Sequence, residues 1–456
     1  MALPAQSNNI PVSGSDNAKG KYLFPFILIT SLFFLWGFAH NLDPILIPHL
    51  KRSFTLSTVQ ASLIDSAVFI AYFLMALPAG FIMKKYGYKA GIITGLLLFA
   101  IGSFLFIPAA NTQAYIFFLG ALFIIACGLT ILETAANPYA ALLGDPKTSS
   151  QRLNFAQSFN GFAATVAPIV GAKLILAKGA TDEELSTMTA AAKKLALASE
   201  ASTVKLPYFI LGAVILLVAV IFYFTKLPEI KDGEDQESSK SILHAFKHRH
   251  LSWGVAAQFF YVGAQVCVLS FFMLFASKTI PAGTADEFII KIGQGLKWLH
   301  IVNNVSQSDY LSYYLATAGF AFMIGRFVGT FLMKFIKPNV LLATYAATNV
   351  VLCLVAIYGH GTTPVYAAIG IAFFMSIMFP TIFSLGIKDL GGDTKFGSSL
   401  IIMSIVGGAL LPPVFAYISD VTHNIQYSYA VPLVCFIVIF VFGINGYKVI
   451  TGNKNI

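Results

Sequence analysis

The stretch YIFFLGALFIIACGLTILETAANP, from Tyr115 to Pro138, decides the fold class because a single carboxylate, Glu133, stands in an otherwise uncharged run. About 20 consecutive apolar residues cross the ~30 Å hydrocarbon core of a bilayer as one helix. A carboxylate at that depth costs roughly 2.5–3.5 kcal/mol on insertion scales. Because burial favours the neutral form of a carboxyl group, we expect Glu133 to carry a proton or to hold an ion.

Apolar runs of this kind recur along all 456 residues, of which 57% are hydrophobic and only 11% are charged. Soluble domains carry about 25% charged residues, so the composition predicts an all-α polytopic membrane protein whose surroundings are a lipid bilayer. The net charge of +9 is expected to anchor loops at the membrane surface, and no nucleic-acid partner is expected. We predict twelve spans, at residues 22–48, 59–83, 89–109, 114–142, 151–177, 206–227, 251–277, 310–335, 339–359, 363–387, 394–419 and 427–449.

The spans divide into two halves of six. The motif FIMK at Phe81–Lys84 closes span 2, and FLMK at Phe331–Lys334 closes span 8, 250 residues later, which indicates an internal repeat. The most polar stretch between the halves begins with KDGEDQESSK and ends with HAFKHRH. We predict a cytoplasmic N-terminal tail at 1–21, a six-helix half at 22–227, a cytoplasmic linker at 228–250, a second six-helix half at 251–449 and a C-terminal tail at 450–456.

The distribution of Lys and Arg predicts the orientation of the chain. With the N-terminus inside, 18 of the 29 basic residues fall in the inner segments, which comprise the inner loops, the linker and the tails, although Lys51 and Arg52 run against this count. Cytoplasmic loops of membrane proteins are enriched in Lys and Arg. We therefore expect both termini in the cytoplasm and a location in the inner (plasma) membrane.

Several motifs resemble known transporters. The segment GFIMKKYGYK at 80–89 resembles the loop between spans 2 and 3 of the major facilitator superfamily, with Met83 in place of the usual acidic residue and Gly87 permitting a tight turn. The stretches LETAANP at 132–138, YVGAQ at 261–265 and PTIFSLGIK at 380–388 resemble the L-fucose–proton symporter family. The resemblance extends from about Phe24 to the last span. It implies the twelve-helix major facilitator fold and sugar uptake by alternating access, coupled to a downhill cation.

The resemblance also points to the coupling residues. Glu133 is the leading cation carrier. In span 1 the family's fucose members carry an aspartate where this chain has Pro44, whereas Asp43 takes the preceding position. Asp65 stands in span 2 where a glutamine is expected, and Met378 replaces a glutamine in span 10. Asp43 and Asp65 form either a proton-entry pair or, with backbone carbonyls, a sodium site. No other metal and no cofactor is expected.

Candidate sugar-binding residues lie at matching depth. Glu133 and Asn160 are each nine residues from the inner ends of spans 4 and 5, or ~14 Å into the membrane. Amide and carboxylate groups supply the donors and acceptors that sugar hydroxyls need, although Asn and Gln equally suit hydrogen bonds between helices. Arg326, at a similar depth in span 8, is expected to face a cavity or to approach Glu133 in one conformation. The predicted sugar-binding residues are Asn160, Gln157, Asn154, Tyr261, Gln265, Arg326 and His40. For His40, packing against neighbouring helices is an equal alternative to lining the cavity.

These features predict a secondary transporter and not an enzyme. Its expected substrate is a hexose or related monosaccharide, such as an L-fucose-like sugar, glucose, galactose, fructose or an amino sugar, imported with a proton. Sodium coupling is the first alternative. A membrane sugar sensor and an enzyme acting on lipid-linked sugars are the others. We expect the chain to act as a monomer, as members of this family usually do.

Overall fold

Helices make up the regular structure of the described part of the chain. The computed structural model describes residues 16–42, 46, 49–50, 53–55, 58–171, 186–228, 242–280, 289–291, 294–295 and 307–449. Helices are the expected solution inside a bilayer, because each backbone polar group finds its partner within the same segment. The predicted C-terminal tail, residues 1–15 of the predicted N-terminal tail and most of the predicted linker lie outside the described residues. Residues 16–21, predicted as part of the N-terminal tail, form the start of the helix Asp16–His40.

Ten stretches of the described chain are long and apolar enough to cross a membrane. One of them, residues 67–112, contains two helical arms, and the more polar helix Ser149–Gly171 packs among the others. The helices are therefore consistent with twelve spans: Asp16–His40 (span 1), the arms 58–86 and 88–112 of Thr58–Thr112 (spans 2 and 3), Tyr115–Leu142 (span 4), Ser149–Gly171 (span 5), Lys205–Phe224 (span 6), Arg249–Ser270 with Phe272–Thr279 (span 7), Gln307–Leu332 (span 8), Pro338–Tyr358 (span 9), Thr363–Met375 with Met378–Gly386 (span 10), Thr394–Met403 with Gly407–Thr422 (span 11) and Ala430–Val441 with Phe442–Gly446 (span 12).

The helices pack in a pattern that repeats after six spans. In the first half span 1 packs on span 5, spans 2 and 3 on span 4, and span 3 on span 6. In the second half span 7 packs on span 11, span 8 on span 10, and span 9 on span 12. Between the halves, span 2 packs on span 11 and span 5 packs on span 8. Moving each span number by six, counted around the twelve spans, converts one of these pairs into the other. This pattern is the pseudo-twofold relation of duplicated halves about an axis along the membrane normal.

Burial separates the outer surface of the bundle from its interior. Large apolar side chains such as Ile116, Leu217 and Phe224 are exposed on the outside, where a bilayer would cover them. Span 4 is buried along almost its whole second part, from Ile125 to Ala141. Span 5 lies between spans 1, 8 and 10, so its polar residues face protein and not lipid.

One end of the bundle, called the basic end here, carries Lys84, Lys85, Lys334 and Lys395. The opposite end, called the far end, carries the turns at 113–114 and 359–362. At the basic end spans 2 and 3 meet at Gly87, whose φ of 81° lies in the left-handed region that favours glycine. The expected tight turn at Gly87 is confirmed.

Candidate functional site

Glu133 is buried in the middle of the bundle, with 8% of its surface exposed. Its carboxylate accepts a hydrogen bond from the Tyr72 hydroxyl in span 2, with 2.6 Å between Oε1 and the hydroxyl oxygen. The described residues place no Lys, Arg or His within 4.0 Å of this carboxylate. Among the described residues, the side-chain partner of this carboxylate is thus a neutral hydroxyl donor, in an environment where ionisation of the carboxyl group is costly.

A row of amides leads from Glu133 to span 5. The Asn137 amide donates to the Glu133 backbone carbonyl at 3.0 Å, one turn along span 4. The Gln157 amide in turn donates to the Asn137 side-chain oxygen at 3.0 Å. All three residues are at least nine-tenths buried. The row therefore ties the carboxylate-bearing turn of span 4 to span 5.

Arg326 continues this row across the boundary between the two halves. Its Nη1 donates to the Gln157 backbone oxygen and, at 3.4 Å, to the Gln157 side-chain oxygen. Its Nε donates to the Ser376 backbone oxygen in span 10 at 2.9 Å, and its guanidinium lies 4.7 Å from the centre of the Phe322 ring. In this conformation Arg326 and Glu133 form no ion pair; Gln157 and Asn137 stand between them. Their predicted direct approach remains a prediction for another conformation.

Span 7 presents a polar face to the same region. Tyr261 is fully buried, and its hydroxyl faces the Arg326 guanidinium without reaching hydrogen-bond geometry. Gln258, one turn earlier, is also fully buried, and both atoms of its amide lack a partner among the described residues. Gln265, one turn later, is half-buried. Among the described residues, span 7 thus holds unused donors and acceptors at Gln258 and Tyr261.

Asn154 forms a hydrogen bond between helices, the alternative considered above for the Asn and Gln residues. Its amide donates to Ser150 O at 2.8 Å and to Thr381 Oγ1 of span 10 at 3.1 Å. Nearby, the Ser150 and Ser384 hydroxyls are 2.6 Å apart, and the Ser398 hydroxyl donates to Thr134 O at 2.8 Å. These bonds join the two halves on the basic-end side of Glu133. Asn154 therefore belongs to the contacts that close the basic end in this conformation.

Two further predicted residues are accessible. Asn160 is half-buried in span 5 and packs against Gly37 of span 1, where a Cβ atom would lie 2.9 Å from the asparagine side chain. His40 is exposed at the end of span 1 and lines a small cavity with Val68, Leu122 and Tyr208. Among the predicted sugar-binding residues, the partly accessible ones are thus His40, Asn160 and Gln265, whereas Asn154, Gln157, Tyr261 and Arg326 are enclosed.

The remaining coupling candidates are not placed. Asp43 lies outside the described residues. Asp65 belongs to the helix Thr58–Thr112, but its side chain is not among those described. The predicted pair of Asp43 and Asp65, and the sodium site they would form, therefore stay predictions.

Sequence reasoning missed Tyr72 and Asn137, which bond directly to Glu133 within the described part of the chain. Asn137 follows Glu133 by four residues in the same helix, and this spacing puts both on one face, so the sequence did hold a signal for it. Tyr72 carried no such signal, because its approach depends on how spans 2 and 4 pack. The cluster of His244, His248 and Asp393 at the basic end was missed as well.

Comparisons with known proteins agree with this architecture. Residues 26–395 match the Major Facilitator Superfamily. The chain is 42% identical to the L-fucose-proton symporter of Escherichia coli over 92% of both proteins, and 37% identical to a glucose/galactose transporter of Brucella abortus over 98% of this chain and 100% of the relative. The crystal structure of the transporter FucP in the outward conformation is 41% identical and superposes with a TM-score of 0.82 over 93% of this chain and 98% of FucP. The chain therefore belongs to the major facilitator superfamily, in the branch of the L-fucose–proton symporter, and is a multi-pass membrane protein.

Proposed function

We propose that the chain imports a hexose or related monosaccharide together with a proton by alternating access. The relatives' names span L-fucose, glucose and galactose, so the proposed substrates are an L-fucose-like sugar, glucose, galactose, fructose or an amino sugar. The protein works as a monomer in the inner membrane with both termini in the cytoplasm. It needs no cofactor besides the co-transported ion and catalyses no chemical reaction.

The observation that carries the proposal is the link between Glu133 and both halves. A proton on Glu133 removes its charge and turns the carboxyl group into a donor as well as an acceptor. That change alters the bond with Tyr72, which belongs to span 2, and span 2 packs on span 11 of the other half. A proton bound at one residue thus biases the contacts between halves, which is what coupling to alternating access requires.

Three of the hydrogen bonds that join the halves support one direction of access. They lie between Glu133 and the basic end, at Asn154 with Thr381, Ser150 with Ser384, and Ser398 with the Thr134 carbonyl. If the basic end faces the cytoplasm, as the excess of Lys and Arg predicts, this conformation is closed to the cytoplasm. Sugar then enters from the far end, past the partly accessible Asn160 and Gln265.

The test is counterflow in proteoliposomes, using labelled L-fucose, glucose, galactose, fructose and glucosamine. We expect at least one of these sugars to exchange, and to accumulate when an inward proton gradient is imposed. Accumulation driven by an inward sodium gradient at fixed pH would replace proton by sodium coupling. Sugar binding without counterflow would indicate that the protein is a sensor. Hydrolysis or transfer of a lipid-linked sugar would indicate that it is an enzyme. Either of the last two results would overturn the proposal.

A further inference from the structure

Two histidines from the HAFKHRH run converge on one carboxylate at the basic end. His244 Nδ1 lies 2.9 Å from Asp393 Oδ2, and His248 Nε2 lies 3.0 Å from the same oxygen. His244 belongs to the short helix Ile242–Ala245, and His248 precedes span 7. Asp393 closes the turn Gly391–Asp393 between spans 10 and 11. One donor atom from each of the three residues lies within 4.8 Å of the others.

The Asp393 carboxylate is arranged to receive a cation. It is 5% exposed, and its second oxygen, Oδ1, has no hydrogen-bond partner among the described residues. Buried polar atoms in proteins are generally partnered, and those that lack a partner call for an explanation. Two imidazole nitrogens and a carboxylate with a spare oxygen around one point are the donor set of a transition-metal site.

We propose that His244, His248 and Asp393 bind one divalent transition-metal ion of the Zn²⁺ class. A tetrahedral ion with bonds of about 2.0–2.1 Å separates its ligand atoms by about 3.3–3.4 Å. The two nitrogen–oxygen separations of 2.9 and 3.0 Å therefore need to widen by only about 0.4 Å. Asp393 Oδ1 or a water molecule would supply the fourth ligand.

The surroundings allow an ion to enter. The His244 side chain is 46% exposed and that of His248 is 31% exposed, so one side of the cluster is open. His250 is not a ligand, because its Nε2 is engaged by the Lys388 backbone oxygen at 2.8 Å. The neighbouring Lys247 and Arg249 are exposed, where solvent and salt screen their repulsion of a dication.

The bound ion would fix the end of the linker to the turn that starts span 11. Beyond that turn, Phe396 packs against Phe81 and Ser398 donates to the Thr134 carbonyl, both in the first half. An ion at Asp393 therefore sits directly before the residues that close the basic end. Its binding does not depend on which sugar or which co-transported ion the protein carries.

The experiment is a calorimetric titration of the full-length protein in detergent with Zn²⁺. Any affinity tag is removed beforehand, and the protein is treated with a chelator to remove bound metal. We expect one ion per chain. His248→Gln and Asp393→Asn should each weaken binding at least tenfold, and the double variant His244→Ala, His248→Ala should abolish it. His360→Ala is the matched control, because His360 is an exposed histidine at the far end. The control should bind as the unchanged protein does.

Two further measurements keep the test decisive. The thermal midpoints of the variants without metal show whether each is folded, and Asp393→Asn keeps the size of the side chain. Co²⁺ should give visible absorption bands that the double variant lacks. Absence of binding, or equal binding by the unchanged protein and the folded double variant, would overturn the proposal. The three side chains would then be held together by their hydrogen bonds alone.

Discussion

Glu133 can give up its proton only at a free-energy cost that its neighbours set. The Tyr72 hydroxyl stabilises the ionised carboxylate by donating to it, and the Asn137 amide bonds to the backbone of the same residue. A hydrogen bond to a charged group contributes about 1.5–3 kcal/mol. The Tyr72 hydroxyl therefore bears directly on the balance between ionised and protonated Glu133, whereas the Asn137 amide holds the backbone of that residue.

We expect Glu133→Gln to separate sugar exchange from proton coupling. Glutamine keeps the shape and the hydrogen-bonding capacity of the protonated carboxyl group but cannot release a proton. Counterflow of the sugar should persist and lose its dependence on pH, whereas accumulation driven by a proton gradient should fall to background. Accumulation at the unchanged level in this variant would remove Glu133 as the proton carrier.

Tyr72→Phe tests the contact that the sequence did not disclose. Losing the hydroxyl disfavours the ionised form of Glu133, so the protonated form persists to higher pH. We expect the midpoint of the pH profile of uptake to move up by about 1 pH unit. Tyr429→Phe is the control, since the Tyr429 hydroxyl is buried without a partner among the described residues. A downward shift, or an equal shift in the control, would contradict the assignment.

The site residues differ in how far the sequence could predict them. Glu133 was evident because a lone carboxylate in an apolar run is costly. Asn154 was predicted as a sugar contact, with a hydrogen bond between helices as the alternative, and in this conformation it bonds to Thr381 across the halves. Spacing along a helix defines which face a residue occupies, whereas its partner depends on the neighbouring helix.

At the scale of the elements, Gly87 makes the turn from span 2 to span 3. Its φ of 81° would place a Cβ atom too close to the backbone, at a cost of roughly 1–2 kcal/mol. We expect Gly87→Ala to lower the thermal unfolding midpoint in detergent. Gly120→Ala is the matched control, because a Cβ atom there would meet nothing within 4 Å and Gly120 lies inside an ordinary helix. Equal midpoints for the two variants would show that the turn relaxes without strain.

The span boundaries follow the hydropathy pattern because each span has to satisfy its backbone internally. Interruptions within spans were less visible. Span 10 is divided between Met375 and Met378, and span 11 between Met403 and Gly407. Neither interruption coincides with a change in hydropathy that would mark it. Span 5 is the opposite case. Its sequence is more polar than that of the other spans, which is possible because the helix lies between other helices and not against lipid.

At the scale of the whole molecule, the two halves meet through a small number of polar contacts. The internal repeat at Phe81–Lys84 and Phe331–Lys334 predicted duplicated halves, and the helix pairs repeat after six spans accordingly. The sequence could not indicate which end is closed, because the same residues serve every conformation of a transporter. That information comes only from the contacts that are formed.

Arg326→Lys tests the bridge between spans 5 and 10. The guanidinium donates through Nη1 to Gln157 and through Nε to Ser376, whereas a lysine has a single nitrogen and cannot hold both directions with the same geometry. We expect the rate of counterflow to fall at least tenfold. A rate within twofold of the unchanged protein would show that the bridge is not needed for transport.

Ser384→Ala tests the closure of the basic end. The Ser384 and Ser150 hydroxyls are 2.6 Å apart and buried, and each belongs to a different half. Losing this hydrogen bond costs about 1 kcal/mol, which corresponds to about a fivefold shift toward the conformation open at the basic end. Spin labels at Lys85→Cys and Lys334→Cys, both exposed at the basic end, would report this shift as a larger long-distance population. The four native cysteines are buried and should remain unlabelled.

The control for this measurement is Ser103→Ala, because Ser103 is a buried serine whose hydroxyl bonds within its own helix, to Phe99 O at 2.9 Å. It loses a hydrogen bond of similar strength without touching the contact between the halves. A general loosening of the protein would change both variants alike, whereas loss of the closure changes only Ser384→Ala. If the distance distribution of Ser384→Ala matches that of Ser103→Ala, the Ser150–Ser384 pair does not hold the basic end closed, and the remaining bonds at Asn154 and Ser398 must do so.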